Sequence, residues 1–339
     1  MTLPLLSICI IGRNEAANLP VLMRHLSSLQ LPYGHEFIYV DSASEDDSVA
    51  LTKDFFDQVA QLQTSPMLCA SAGRHMGTKL AKASWILYLD ADMCLQGAFI
   101  AFLQKLAELP QDTGWVGSYT FIDEDLGKSQ NKLIGQGNCG EKVERFGGAV
   151  LLPKDAVLKA GNWNPGIFAN EEIDLYTRLR ATGVTIKHSG TGMITHPAEP
   201  VPLIQRLSEY FFPVARKKKK FLGFGQVIAS RDLAGLANFV RYHPHPFIYW
   251  LGLLSTLLLL VAQLPIGALL CLGLTLGFIS VVKGPNFAVS YLGLPIRLLL
   301  GYAAYDKSFE PTLHRHYVKS NAEQGNSEEL HRSLVTSPL

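Results

Sequence analysis

The sequence has few cysteines and almost no net charge, and both absences exclude whole classes of protein. Its 339 residues include five cysteines, an odd number, and no two of them have Cys-x-x-Cys spacing. A disulfide framework or a structural zinc site is therefore not expected, and a reducing compartment fits best. The formal net charge is +1, so the chain as a whole has no field that would attract nucleic acid.

The sequence also lacks a signal peptide of the usual form. The first apolar run, residues 3–11, is too short to span a bilayer, and neither a basic residue before it nor a small-residue cleavage site is present. We therefore expect a buried first strand rather than a signal peptide.

Strand and helix patterns alternate over the first two hundred residues. The apolar runs with the length of buried strands are residues 7–11, 37–40 and 85–89. Apolar residues recur at helical spacing between them. This alternation predicts an α/β fold, Rossmann-like with a mainly parallel sheet. Ligands bind at the carboxyl ends of the strands in such sheets, and Asp41 and Asp90 each end a predicted strand. Residues 123–144 show no clear period and are predicted to form a long surface loop.

The composition changes after residue 246. Residues 247–282 are almost wholly apolar, with interruptions at Gln263 and Pro265. This stretch is too long for one helix across a hydrocarbon core of about 30 Å. We therefore expect two helices with a turn near Gln263, which either cross a membrane or re-enter it. A weaker apolar segment follows.

Basic residues lie on both sides of this apolar region. The densest run, residues 216–220, is either a solvated face or a surface that binds anionic membrane lipid. Basic flanks on both sides favour placing both ends in the cytoplasm. The expected domains are a catalytic domain at residues 1–205, a basic amphipathic connector at the membrane surface at 206–246, transmembrane or re-entrant helices at 247–305, and a polar cytoplasmic tail at 306–339.

Two carboxylates follow the apolar run at residues 85–89. Asp90 and Asp92 are two residues apart past the strand end, so both can reach one hard divalent cation, Mn²⁺ or Mg²⁺. Such a cation would hold a diphosphate through its oxygens. An Asp-x-Asp pair also occurs in solvated turns, and the position directly after a strand is what favours the metal hypothesis.

A second acidic cluster, residues 41–46, also follows a predicted strand. In one interpretation, Asp41 accepts hydrogen bonds from a base or a ribose. In the other, the cluster begins a helix, because acidic residues stabilise the first helical turn. The sequence alone leaves both open.

A third acidic cluster begins a predicted helix at Glu171. The helix dipole accounts for acidic residues there. Residues two apart do not share a helix face, so we expect Glu172 and Asp174 to differ in role. One faces a cleft as a general base, and the other caps the helix or pairs with Arg178. His196 follows a short strand, and a lone histidine is more often structural than a ligand.

The order of these motifs resembles the family 2 glycosyltransferases, which have the GT-A fold, over about residues 5 to 200. The segments that carry the likeness are Ile11-Gly12-Arg13-Asn14-Glu15, Val40-Asp41-Ser42-Ala43-Ser44-Glu45-Asp46, Gly73-Arg74, Trp85-Ile86-Leu87-Tyr88-Leu89-Asp90-Ala91-Asp92, Gly147-Gly148-Ala149-Val150-Leu151-Leu152, Gly161-Asn162-Trp163 and Glu171-Glu172-Ile173-Asp174-Leu175. No single motif is specific to this family, but the order and spacing of the motifs taken together are specific.

The resemblance implies a role for each of these positions. The donor nucleotide-sugar would be bound by Asn14, Glu15, Asp41, Arg74 and Asp90. A divalent metal would be held by Asp90, Asp92 and His196. Glu172 would be the catalytic base, and the acceptor side would include Gly148, Trp163, Glu171 and Asp174.

The sequence departs from the family pattern at several positions. Glu172 stands where the family usually has Asp, and Ser42-Ala43 replaces the usual Asp-Gly. The Gln-x-x-Arg-Trp motif of processive synthases is absent, because Gln205-Arg206-Leu207 does not supply it. The resemblance thus implies an integral membrane enzyme with its catalytic domain on the cytoplasmic face. It would transfer a single sugar, with inversion, to a lipid-linked or membrane-proximal acceptor.

Two other interpretations compete with this one. A membrane-bound sugar nucleotidyltransferase would need a glycine- and lysine-rich loop near the N-terminus, whereas residues 10–17 supply only Gly12 and Arg13. A non-catalytic membrane scaffold that keeps the GT-A fold would bind no nucleotide diphosphate.

Overall fold

A computed structural model describes residues 4–123, 128–134, 136–197, 222–283 and 294–319. The chain divides into two compact units. The first, which we call the sheet unit, comprises residues 1–167, 171–199 and 308–339. The second, the helical unit, comprises residues 168–170 and 200–307. Residues 206–221 of the predicted connector, which include the basic run at 216–220, lie outside the described residues.

The sheet unit begins with alternating strands and helices. Its strands are β1 (Leu6–Gly12), β2 (His35–Asp41), β3 (Gln58–Leu62), β4 (Trp85–Asp90), β5 (Cys94–Leu95), β6 (Thr113–Asp123), β7 (Lys128–Ile134), β8 (Val150–Pro153), β9 (Thr185–Pro197) and β10 (Leu313–Val318). Its helices are α1 (Leu19–Ser27), α2 (Ser48–Thr52), α3 (Ala70–Leu80), α4 (Gly97–Leu103), α5 (Lys154–Lys159) and α6 (Glu171–Ala181).

The described strands form one mixed sheet in the order β10-β3-β2-β1-β4-β8-β6-β9-β5, with β7 paired to β6. The pairs β1–β2, β1–β4, β2–β3 and β6–β9 are parallel, and the other described pairs are antiparallel. The predicted parallel arrangement is therefore confirmed for β3-β2-β1-β4, whereas the sheet as a whole is mixed. Parallel neighbours need a long crossover connection, usually a helix, whereas β6 and β7 follow each other as an antiparallel pair.

The first strands are apolar throughout because both of their faces are buried. β1, β2 and β4 are buried along nearly their whole length, as expected for parallel strands covered on both sides. The amphipathic helix α1 buries Leu19, Leu22, Met23 and Leu26, the positions at helical spacing. These residues belong to the main apolar core of the sheet unit. Packing in this core holds the strands in position, and the acidic motifs lie at the ends of these strands.

Two strands lie in segments where the sequence predicted no strand. Part of the loop predicted at residues 123–144 is β7, and part of the tail predicted at 306–339 is β10, which pairs antiparallel with the edge strand β3. A strand at a sheet edge has one side open to solvent, so β10 is mostly exposed and polar. Its pairing with a strand about 250 residues earlier leaves no local sequence signal.

The helical unit contains five described helices. They are α7 (Gly223–Ala229), α8 (Leu233–Tyr242), α9 (His245–Val261), α10 (Pro265–Lys283) and α11 (Leu294–Ala303). The predicted turn between two apolar helices lies at residues 262–264, where Gln263 has a φ of 58°. α9 and α10 pack closely, because a Cβ added at Gly252 would collide with the side chain of Thr275.

Within the described residues, no single helix meets the length and hydropathy expected of a membrane span. The helices α8 and α9 together meet the length and hydropathy criteria, but there is a bend of 96° between them. α11 and residues 265–281 of α10 form shorter apolar helices. Many of their large apolar side chains are exposed, including Leu251, Leu258, Leu269 and Leu274.

Candidate active site

The strand ends bring the first two acidic motifs to one edge of the sheet. β1 lies between β2 and β4, with Gly12 paired to Asp41 and Ile11 paired to Asp90. Asp41 and Asp90 therefore lie on either side of the end of β1, as the sequence predicted. A side chain at Gly12 would collide there with the Tyr39 hydroxyl and with Glu15.

The loops after β1 and β2 hold each other through reciprocal hydrogen bonds. The Asn14 backbone N–H donates to Ser44 Oγ at 2.8 Å, and the Glu45 backbone N–H donates to Asn14 Oδ1 at 2.8 Å. Asn14 has a φ of 58°, a conformation that asparagine tolerates better than most residues. The Asn14 side chain thus joins the two loops that form one wall of the site.

Asp41 is fully buried and its carboxylate organises the second loop. It accepts hydrogen bonds from the Ser44 backbone N–H at 2.8 Å and from the Ser44 hydroxyl. Burial raises the pKa of Asp41, and these hydrogen bonds oppose the rise. Burial likewise raises the pKa of Glu15, whose Oε2 accepts from Asn18 Nδ2 at 2.7 Å.

Arg74, on α3, connects the metal motif to the third acidic cluster. Its guanidinium donates to Asp90 Oδ1 at 2.6 Å and to Glu171 Oε1 at 3.0 Å. The side chain is 2 % exposed and lies over the Trp163 ring, 5.1 Å from the ring centre. The two carboxylates raise the pKa of Arg74 although burial lowers it. The resemblance implied a donor contact for Arg74, whereas the structure shows its guanidinium bound to two protein carboxylates.

The backbone passes close to this ion pair at Gly148. A Cβ at that position would lie 2.6 Å from Asp90 Oδ2 and 2.8 Å from Arg74 Nη2. Any side chain there would push against the Arg74–Asp90 contact, so glycine is required by the close approach.

Asp92 and His196 meet beside this cluster. His196 Nε2 lies 3.3 Å from Asp92 Oδ2, and His196 Nδ1 lies 2.5 Å from the Pro197 carbonyl oxygen. A neutral His196 donates its Nδ1 hydrogen to that carbonyl, so the Nε2 lone pair faces the carboxylate. Two acceptors at this distance need a cation or a proton between them, and metal-binding histidines commonly have such a carbonyl partner.

The predicted metal ligands are therefore brought together only in part. Asp92 and His196 offer one oxygen and one nitrogen that suit Mn²⁺ or Mg²⁺ together with substrate oxygens. Asp90, the third predicted ligand, is engaged by Arg74 through one carboxylate oxygen. Among the described residues, no group of three or more His, Cys, Asp or Glu side chains is arranged as a complete metal site. A metal here would complete its coordination from the diphosphate and water.

The carboxyl group of Glu172 has a strongly raised pKa. Burial and the negative charge of Glu171 together raise its pKa to about 8, although Arg74 opposes both effects. The buried Glu171 also has a raised pKa because of burial, which Arg74 opposes. A carboxyl group that ionises near neutral pH is suited to general base catalysis.

The other predicted acceptor-side residues are buried and engaged. Trp163 is fully buried in edge contact with Tyr88. Asp174 is buried and pairs with Arg178, Nη2 to Oδ2 at 2.5 Å, so the expected division of roles between Asp174 and Glu172 is confirmed in that respect. Both side chains are thus buried in this structure, and the predicted place of Trp163 and Asp174 on the acceptor side stays a prediction.

Two features of the site were not predicted. The Tyr119 hydroxyl, on β6, donates to the Ala149 carbonyl at 2.8 Å and accepts from the Ala149 backbone N–H, so it supports the segment that contains Gly148. On α3, His75 lies 3.0 Å from Glu310, which also pairs with Lys79. Neither has a local sequence signal, because both depend on contacts between residues far apart in the chain.

Comparisons with known proteins show similarity to glycosyltransferases. Residues 7–157 match the family model for glycosyl transferase family 2, just under half of the chain. An uncharacterized glycosyltransferase of Haemophilus influenzae is 21 % identical over 183 residues, which cover 52 % of this chain and 62 % of that protein. The matched region thus spans less than two thirds of this relative. The N-terminal part of the chain is thus similar in sequence to family 2 glycosyltransferases, and it folds as a mixed α/β unit.

Several solved structures are similar at low sequence identity. GalNAc-T7 with UDP, GalNAc and Mn²⁺ has a TM-score of 0.46 at 15 % identity, over 71 % of this chain and 55 % of that chain. S. aureus TarS 1-349 in complex with UDP has a TM-score of 0.49 at 11 % identity, over 93 % of this chain and 96 % of that chain.

Proposed function

We propose that this protein is a metal-dependent, inverting glycosyltransferase that moves a single sugar from a nucleotide-diphosphate sugar to a lipid-linked or membrane-proximal acceptor. The observation that carries the proposal is the grouping of Asp90, Glu171 and Glu172 around Arg74 beside the end of β4. The family 2 domain at residues 7–157 supports the same reaction class.

The donor would bind across the ends of β1, β2 and β4. The loops joined by Asn14 and Ser44 offer a wall for the nucleotide, with Asp41 behind it. Asp92 and His196 would hold the metal, and Asp90 would be kept in position by Arg74. When bound, the metal supplies Lewis-acid stabilisation of the negative charge on the departing diphosphate.

Glu172 would act on the acceptor. Its ionised carboxylate removes the proton from an acceptor hydroxyl, and that oxygen forms a bond to the anomeric carbon. The bond from this carbon to the diphosphate oxygen breaks on the opposite side, and the nucleoside diphosphate leaves with the electron pair. A positioned base contributes typically 10²–10⁴-fold to such a step.

The helical unit favours an acceptor at a membrane. α9 and α10 have 17 and 19 residues, or about 26 and 28 Å at 1.5 Å per residue, slightly short of a hydrocarbon core of about 30 Å. Their exposed apolar side chains would be covered by lipid. The membrane location, the cytoplasmic face and the anionic-lipid contact at residues 216–220 are part of this proposal.

The connectivity constrains how the chain would enter a membrane. The chain leaves the sheet unit after residue 199 and returns to it at residue 308, where it goes on to form β10. Both connections belong to one folded unit, so they are on the same side of any membrane. The intervening residues must therefore cross an even number of times or re-enter without crossing.

Calorimetric titration tests the donor site. Full-length protein is titrated with UDP and GDP, each with and without Mn²⁺ or Mg²⁺. Metal-dependent binding of one nucleotide is expected, and Asp92→Ala should abolish it. Asp155→Ala, which removes an exposed acidic residue of α5, is the matched control and should bind normally. If folded protein binds no nucleotide under any condition, the scaffold interpretation takes over.

A further inference from the structure

A polar pocket of about 640 Å³ lies on the sheet unit beside the candidate active site. It is formed by the start of α4, the strands β6 and β9, and the turn at residues 136–141. The side chains used below are those of Gln96, Ser118, Thr120, Asn138, Glu141 and Thr191. Its volume is in the range of small-molecule sites, and neither the donor site nor Glu172 uses any of these residues.

The lining selects against anions and apolar ligands. The side chains that line it are hydroxyls, amides and one carboxylate, Glu141, and none is a lysine or an arginine. A phosphate group would meet a negative charge there with no cation to offset it. Hydroxyls and amides both donate and accept hydrogen bonds, which suits the hydroxyl groups of a neutral sugar.

The wall of the pocket is held in a fixed arrangement. Gln96 Nε2 donates to Thr120 Oγ1 and to the Ile194 carbonyl, both at 2.9 Å. These two bonds use both amide hydrogens and leave Oε1 beside Gly192, where a Cβ would collide with it. Glycine at position 192 therefore makes room for an oriented acceptor atom.

A buried histidine, His188, contacts two of the residues that line the pocket, Ser118 and Gly190. His188 Nδ1 accepts from the Gly190 backbone N–H at 2.9 Å, and Nε2 lies 3.3 Å from Ser118 Oγ. Because Nδ1 is an acceptor, Nε2 carries the hydrogen and donates to Ser118. The Ser118 hydroxyl is thereby oriented at a site that is 8 % exposed.

Strand register places this pocket next to the predicted metal ligands. Thr120 pairs with Thr195, the residue before His196, and Thr195 also pairs with Cys94, two residues after Asp92. Ligand contacts at Thr120 and Gln96 would therefore be made by the same strands that hold Asp92 and His196.

We propose that this pocket binds a neutral sugar unit of the acceptor. The proposal rests on the proposed function for the identity of the ligand as part of an acceptor, while the pocket chemistry alone indicates a neutral, hydroxyl-rich ligand. The bound sugar would hold the acceptor next to the strands that carry the metal ligands, so a glycan-bearing acceptor would be selected over a bare lipid.

Ligand-observed saturation-transfer NMR tests this directly. The probes are the methyl glycosides of glucose, galactose and N-acetylglucosamine, added to full-length protein without nucleotide. Asn138→Trp introduces a bulky ring at the exposed mouth of the pocket, and Thr120→Val removes a hydroxyl at nearly constant shape. Gln30→Trp adds the same bulk at an exposed position outside the pocket and is the matched control.

At least one glycoside should bind the unmodified protein and Gln30→Trp equally. Asn138→Trp and Thr120→Val should weaken that binding at least about tenfold. The proposal is overturned if no glycoside binds the unmodified protein, or if Asn138→Trp binds as tightly as Gln30→Trp.

The same preparations are titrated with UDP and GDP in the presence of Mn²⁺. Nucleotide binding without glycoside binding would contradict the proposed sugar pocket and leave the proposed function standing. Glycoside binding without nucleotide binding would contradict the proposed function. The pocket would then be a sugar-binding site in a different class of protein.

Discussion

The Arg74 guanidinium lies 2.6 Å from a carboxylate oxygen of Asp90, and almost none of its side chain is exposed. It also contacts Glu171 at 3.0 Å. One buried cation therefore connects the end of β4 with the start of α6. The relative placement of the predicted metal motif and the predicted base depends on this residue.

Replacing Arg74 should destabilise the sheet unit strongly. Arg74→Met removes the cation and leaves two carboxylates without it, and breaking a buried ion pair typically costs about 3–5 kcal/mol. Urea denaturation followed by tryptophan fluorescence measures the loss. Arg13→Met removes the exposed Arg13–Glu45 pair, and it should cost less than about 1 kcal/mol. Equal losses for the two variants would contradict the role given to Arg74.

The pH dependence of activity should report the ionisation of Glu172. Its pKa is raised to about 8 by burial and by the charge of Glu171, so the fraction of ionised base and hence the rate should rise as pH increases through about 8. Glu171→Gln removes the neighbouring charge and should move this rise to lower pH. A profile that is unchanged in Glu171→Gln would show that another group limits the rate.

The same ionisation should act on stability in the opposite direction. The folded state favours the protonated Glu172, while in the unfolded chain this carboxyl group has its ordinary pKa of 4.5. The contribution to stability is therefore present below about pH 4.5 and is lost as pH rises through about 8. Denaturation midpoints of the unmodified protein and Glu172→Gln, compared at pH 6 and pH 9, measure this contribution of Glu172 to stability. The variant should lose less stability than the unmodified protein over this interval, and an equal loss would contradict the assignment.

Glu310 should hold the returning chain against α3. Both ring nitrogens of His75 face acceptors, the Trp163 carbonyl at 2.8 Å and Glu310 at 3.0 Å, and Glu310 also pairs with Lys79. Glu310→Gln removes the charge at nearly constant shape and should speed hydrogen exchange of the backbone amides in β10. Glu108→Gln, at a solvent-exposed position, should leave exchange there unchanged. Identical exchange in both variants would show that strand pairing alone fixes β10.

The sequence predicted the parts of the fold that have local patterns. Continuous apolar runs identified β1, β2 and β4, and the sheet rule placed Asp41 and Asp90 at one edge. The turn near Gln263 was predicted from its interruption of an apolar stretch. These features depend on residues that are close together in the chain, so they can be predicted from a single sequence.

The features that were missed depend on distant contacts. Pairing of β10 with β3, the ion pairs of Arg74 and the burial of Trp163 are decided by residues tens to hundreds of positions away. Trp163 was placed on the acceptor side only by the resemblance of its motif to a family segment, and aromatic residues are common in both cores and binding sites. Composition and spacing do not separate these two roles.

The most direct test of the proposed reaction compares the unmodified protein with Glu172→Gln in single-turnover release of nucleoside diphosphate from the nucleotide-sugar that binds most tightly. The reaction contains metal and a bacterial membrane lipid extract, and Glu144→Gln, at an exposed position, is the control. We expect release by the unmodified protein and by Glu144→Gln, and release at least about 100-fold slower in Glu172→Gln with donor affinity unchanged. Wild-type release rates in Glu172→Gln would contradict the assignment of this residue as the base, and a lack of release by the unmodified protein would contradict the assignment of the protein as a glycosyltransferase.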